Sequence, residues 1–259
     1  MKLIANVSTL FTEYPLAERL VPARKAGFDG VEIQFINDAD IEALQAAMSE
    51  SGLGITLINV PRGPGDAVGL AALPGLEGAF RDAVRICGSH VQALDVGKVN
   101  VLSGSPVGGA DPEACTATLV RNLRFAADVM QDHGVRVMVE PVNPHDVPGF
   151  FLSDLASALD VLDRADHPNL ALQFDLYHMA RTEADLIEAI RQAGSRIGHV
   201  QFADTHGRHE PGTGDIDFAA ALAALRETGY DDAISAEYTP RDGTAAGLDW
   251  IPDFRKHIA

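Results

Sequence analysis

Eight short apolar runs alternate with longer amphipathic stretches along the whole chain, and few folds accept that rhythm. The runs cover residues 3–7, 30–35, 55–60, 98–102, 135–142, 170–176, 198–203 and 233–238 and are rich in Val, Ile and Phe. Each is short enough for a strand buried on both faces, as in a parallel sheet covered by helices. The stretches 41–51, 77–94, 112–133, 154–164, 184–193 and 218–227 carry Ala, Leu, Glu and Arg at helical spacing. Ser153 or Asp154 stands where the fifth helix needs a cap and Asp217 where the seventh does, while Gly52, Gly134, Gly194 and Gly229 stand at helix ends. Pro22 falls inside another helical candidate, 16–26, which therefore kinks or starts late.

Eight strand–helix repeats in 259 residues fit a (β/α)8 barrel, which usually takes about 250. The expected fold is thus α/β, a TIM barrel forming a single domain over 1–259. A doubly wound sheet would open with a glycine-rich turn after its first strand; here that strand runs into Asn-Val-Ser-Thr-Leu-Phe. The richest loops, 61–74 and 103–112, each follow a strand, where barrels carry their functional loops.

The charge balance narrows the class of partner. With 20 Lys and Arg against 37 Asp and Glu, the net charge is −17, which repels phosphate backbones and anionic lipid. No nucleic-acid or membrane-surface partner is expected. A small anionic ligand stays compatible, because a bound cation reverses the field inside one pocket. Cys87 and Cys115 give no disulfide framework and suit a reducing compartment. The N-terminal segment lacks the apolar core of a signal peptide, and no apolar run reaches the length of a membrane span, so the expected location is cytoplasmic. Homo-oligomerisation stays open.

Four consecutive strands end on a polar residue after an apolar stretch. They read VMVEPVN with Glu140, LQFDLYH with Asp175, HVQFAD with Gln201 and ISAEYTP with Glu237. The separations, 35, 26 and 36 residues, are one strand–helix repeat apiece, so the four side chains converge on one point at the C-terminal mouth. Three carboxylates in one dry space either take up protons or hold a cation. Oxygen-only ligands suit a hard ion such as Mg²⁺ or Mn²⁺, and no Cys or clear His pair favours zinc. No nicotinamide, flavin or pyridoxal signal is present, so no organic cofactor is expected.

Other residues are weaker signals. His178 and His199 are substrate hydrogen-bond donors, partners of a carboxylate, or structural histidines. Glu32 looks buried, as a paired charge would be; Asn6 and Asn59 end strands and could line the floor of the pocket. Arg208 follows the seventh strand in RHEPGTGDID. It either grips the acid end of a substrate bidentately or pairs with one of the many acids. Gly212 and Gly214 in that segment could bring backbone amides to an anion, though neither a dinucleotide fingerprint nor a P-loop is present.

Taken together, ANVSTLF, GFDGVE, VEPVN, FDLYHM, GHVQFAD, RHEPGTGDIDF and the AEY…GLDW ending closely resemble the hydroxypyruvate isomerase family, a branch of the xylose-isomerase-like TIM barrels. FDLYHM and RHEPGTGDIDF are the specific motifs, and the resemblance covers nearly the whole chain. It implies a divalent metal held by Glu140, Asp175, Gln201 and Glu237, with Glu140 and Glu237 as the acid/base pair. It also implies interconversion of hydroxypyruvate and tartronate semialdehyde through an enediolate. Sugar epimerases of the superfamily carry His where this chain has Gln201, which favours the isomerase branch. The rivals are a 2-oxo-tetronate or other sugar-acid isomerase or a sugar epimerase with the same machinery, a metal-dependent nuclease of the related endonuclease fold, and a non-catalytic binding barrel.

Overall fold

The computed structural model describes every residue except Val107, which falls within the 103–112 loop. Eight strands, β1 (Lys2–Asn6), β2 (Gly30–Ile33), β3 (Ile55–Asn59), β4 (Lys98–Val101), β5 (Arg136–Val139), β6 (Leu170–Asp175), β7 (Ile197–Phe202) and β8 (Ala233–Ala236), form a closed barrel in sequence order. Every neighbouring pair is parallel, and β8 meets β1 from Lys2 opposite Ala233 to Ala5 opposite Ala236. The expected (β/α)8 barrel is the observed fold.

Around it lie α1 (Leu20–Lys25), α2 (Ile41–Ser51), α3 (Glu77–Leu94), α4 (Pro112–Gln131), α5 (Leu155–Ala165), α6 (Leu176–Thr182), α7 (Leu186–Ala193), α8 (Phe218–Glu227) and α9 (Ile251–Ile258). Asp154 caps α5 by accepting from Ser157 N, and Asp217 caps α8 from Ala220 N. The Pro22 segment starts late: a 3-10 turn over Leu16–Arg19 precedes α1, and the proline falls in the first turn. The final helix, α9, stacks Phe254 on Phe202 with ring centroids 4.6 Å apart. No helix among the described residues is long and apolar enough to cross a membrane.

The two faces of the strands differ in a way that places the site. Outward residues such as Val31, Val99, Val139, Phe174 and Ile234 join one apolar core with the helices. Inside the barrel the only separate apolar cluster among the described residues is Leu57, Met138 and Ala171. Much of the rest of the interior is polar yet buried: Glu32, Asn100, Gln173 and His199 are at most 1% exposed. Most buried polar groups are hydrogen-bonded, and Glu32 with His199, Gln173 with Gln201 and Asn100 with Glu140 form a network that leads upward to the mouth.

Candidate active site

Asp175 shows how one residue is committed by local structure and still left free for chemistry. It ends β6 and caps α6, its Oδ1 accepting from Tyr177 N at 2.8 Å. The sequence reading carried that strand to residue 176; the helix starts there instead because Asp175 is its cap. The other oxygen, Oδ2, is buried with no hydrogen-bond partner. It lies 3.5 Å from His178 Nε2 and 3.6 Å from Arg208 Nη2.

Glu140, just beyond β5, accepts from Asn100 Nδ2 at 2.7 Å through Oε2, and its Oε1 faces His178 Nε2 at 3.9 Å. Ligand atoms of Glu140, Asp175 and His178 all lie within 4.8 Å of one another. Glu237, just beyond β8, is held far more tightly. Its Oε2 accepts from Asn6 Nδ2 at 3.0 Å and Gln201 Nε2 at 2.6 Å, and its Oε1 from Gln34 Nε2 at 3.0 Å and from Arg208 Nη2. Arg208 thus bridges Glu237 to Asp175, with its guanidinium carbon 5.3 Å from the centre of the Tyr177 ring.

Gln201 lies between two acids. Its Nε2 donates to Glu32 as well as to Glu237, and its Oε1 accepts from Gln173 Nε2 at 2.6 Å. Two carboxylates at one end of an amide require the NH₂ there. Its oxygen would therefore reach a cation only after the amide rotates. His199 sits deeper on β7, where its Nε2 meets Glu32 at 2.8 Å and its Nδ1 lies 3.5 Å from Lys98 Nζ.

His178 can be assigned a tautomer. Asn143 Oδ1 accepts from the backbone of His145 and Asp146, so its NH₂ points at His178 Nδ1, 2.7 Å away. Nδ1 is then the acceptor and Nε2 carries the proton toward Asp175 and Glu140. Burial, reinforced by Arg208, drives the His178 pKa well below its usual value. The ring is a neutral donor as it stands rather than a ready metal ligand.

Burial dominates the electrostatics. It raises Glu140 well above the ordinary carboxylate range, helped by Glu237 and Asp175, and raises Asp175 as well. It lifts Glu237 to about 8 against the opposing pull of Arg208, and Glu32 to about 7. Burial opposes the charge on Arg208, but Glu237, Asp175 and Glu140 outweigh it and keep the guanidinium ionised. Three buried carboxylates, one orphaned oxygen and one guanidinium make a site short of positive charge. Among the described residues, those whose ligand atoms stand close enough to share one hard ion are Glu140, Asp175 and His178, and Glu237 is not one of them.

The loop that delivers Arg208 is built around Asp204. This fully buried carboxylate accepts from the backbone N–H groups of Thr205, Gly212, Gly214 and Ile216 at 2.8–3.1 Å. The amides of Gly212 and Gly214 do bind an anion, and that anion is the protein's own Asp204. A Cβ on Gly214 would fall 1.3 Å from the Thr205 carbonyl oxygen, so only glycine fits. Arg208 itself has a left-handed backbone (φ 56°), and its carbonyl accepts from Thr239 N at 2.8 Å.

The structure brings together Glu140, Asp175, Gln201, Glu237, Arg208 and His178, with His199 beneath them. Gln34, Asn100, Asn143 and Asp204 were not singled out from the sequence. Asn100 carries the same signal as the four strand-end residues, a polar side chain inside an apolar run. A surface groove of about 990 Å³ lies elsewhere, lined by Leu16, Val21, Phe35 and Leu44.

A family model described as xylose isomerase-like TIM barrel matches residues 20–254. The chain belongs to the xylose isomerase-like TIM-barrel family. Within it, the chain is 38% identical over 257 residues to the hydroxypyruvate isomerase of Escherichia coli (strain K12), covering 98% of this chain and 100% of that one. It is 34% identical over 254 residues to the 2-oxo-tetronate isomerase of Cupriavidus necator, covering 96% and 97%. A crystal structure described as an AP endonuclease, family 2, from Brucella melitensis superposes with a TM-score of 0.94 at 36% identity, covering 98% and 99%. The resemblance drawn from the motifs is borne out, and the full-length relatives place the chain with the sugar-acid isomerases.

Proposed function

We propose that the protein is a divalent-metal-dependent isomerase that interconverts hydroxypyruvate, or a related short 2-oxo acid, with its aldehyde isomer through an enediolate. The observation that carries this reading is the convergence of Glu140, Asp175 and Glu237 in a buried mouth beside one arginine. The curated relatives, one a hydroxypyruvate isomerase and another a 2-oxo-tetronate isomerase, support the substrate class and leave its length between three and four carbons.

Glu140, Asp175 and Glu237 would hold Mg²⁺ or Mn²⁺, joined by Gln201 once its amide turns. The cation would polarise the carbonyl and oppose the charge of the enediolate. Two carboxylates near neighbouring carbons take and return the proton, and the hydrogen bonds separate their roles. Glu237 accepts from four donors, one of them cationic, so although burial lifts it to about 8 it ionises more readily than Glu140 and takes the role of acceptor. Glu140 has one donor and carries the proton more readily. His178 Nε2–H is positioned to bind a substrate oxygen, and Arg208 to grip the carboxylate. His199 acts beneath them, fixing Glu32 and through it Gln201. The net charge of −17 weighs against a nuclease.

The test is to incubate metal-stripped protein with hydroxypyruvate and with four-carbon 2-oxo acids, with and without Mg²⁺ or Mn²⁺. Isomer should form only with the cation. Turnover of none of these acids under any condition overturns the reading.

A further inference from the structure

We infer that the Arg208 guanidinium is the built-in counter-ion of the metal-free site, displaced from Asp175 and Glu237 by a divalent cation and thereby released toward the acid substrate. The inference rests on the metal-dependent reading above. Arg208 Nη2 contacts Glu237 Oε1 and lies 3.6 Å from Asp175 Oδ2, an oxygen that no donor satisfies. These are two of the carboxylates a cation would take, so guanidinium and cation compete for the same oxygens and repel each other.

The hold of Arg208 on the site is partial. Its Nε is buried without a partner, yet its side chain remains 28% exposed, which leaves it a route toward the mouth. Its backbone is fixed by the Asp204-centred loop and by Thr239, so the side chain pivots on a rigid base, and the Tyr177 ring offers a face on which to slide. Cation and acid substrate then bind in that order and support each other, because the first frees the group that grips the second.

Mn²⁺ titrations of metal-stripped wild type, Arg208→Met and Arg208→Lys test this without any turnover. Arg208→Met should bind Mn²⁺ about 5- to 150-fold more tightly than wild type, the usual range for two coupled ligands. Its metal-free form should melt at a lower temperature and gain more from Mn²⁺. Arg208→Lys, which keeps the charge but not the fork, should bind Mn²⁺ with intermediate affinity and guards against a Met variant that fails to fold. Equal or weaker Mn²⁺ binding in the folded variants overturns the inference while leaving the isomerase reading intact. A wild type that binds no Mn²⁺ overturns the metal reading and the inference with it.

Discussion

Replacing Asp204 by Asn tests how the site is held before any chemistry is assumed. The carboxylate satisfies four backbone N–H groups, Thr205 and Ile216 on one oxygen and Gly212 and Gly214 on the other. Asn puts an NH₂ where one of those oxygens stood, so in either orientation two of the N–H groups lose their acceptor and face another donor. At about 1–3 kcal/mol for each hydrogen bond to a carboxylate lost at these largely part-buried positions, the loop should lose about 2–6 kcal/mol. That is a large share of the 5–15 kcal/mol or so that holds a typical domain together, but a surface loop can open without global unfolding. Hydrogen exchange of the Gly212, Gly214 and Ile216 amides should therefore speed up by about 30-fold to 10⁴-fold, at roughly tenfold per 1.4 kcal/mol. Barrel amides such as Val137 should keep their protection. Because Arg208 lies inside the same loop, KM for the acid substrate should rise together with the exchange. Unchanged protection at these three amides would refute the role given to Asp204.

Three further outcomes follow from the same geometry. Glu140→Gln and Glu237→Gln should each lower kcat by about 10²–10⁴-fold, and the double variant should lose far less than the product of the two; near-normal kcat in either single variant removes that residue from proton transfer. With metal stripped by EDTA, stability should fall as pH rises from about 5 to 8. Glu32 and Glu237 titrate at about 7 and about 8 in the fold, above the unfolded value near 4.3, so the native state binds more protons in that window and loses stability as they leave. Saturating Mn²⁺ should flatten the fall by replacing those protons, and a flat EDTA melting profile from pH 5 to 8 contradicts the picture. Gly214→Ala should give little folded protein or a disordered Arg208 loop, because the added carbon meets the Thr205 carbonyl; a normal melting curve with normal KM would be the opposite result.

The sequence made the barrel and the strand-end acids legible for one reason. Burying a strand on both faces forces a continuous apolar run, and a polar residue breaking that run stands out. Breaks of this kind near the ends of the fifth to eighth runs are Glu140, Asp175, Gln201 and Glu237. The same break in the fourth run is Asn100, which holds Glu140. Gln34 breaks the 30–35 run in the same way, but its partner is Glu237, across the mouth and far away in sequence, so its role is not written locally. Asp204 was hidden by ambiguity, since an acid followed by a glycine-rich loop could leave those amides for a ligand or fill them itself. The orientation of Gln201 and the tautomer of His178 depend on Glu32, Gln173 and Asn143, contacts between side chains far apart in sequence that no local pattern encodes.

Proton transfer by a glutamate pair on a short 2-oxo acid leaves a label when the reaction runs in D₂O with Mn²⁺. A carboxylate that takes a proton from carbon can exchange it with solvent before giving it back. Deuterium should appear at the product carbon that receives the hydrogen, and should be lost together with turnover in Glu237→Gln. Full retention of the substrate hydrogen during turnover would contradict proton transfer and leave the two glutamates as ligands alone.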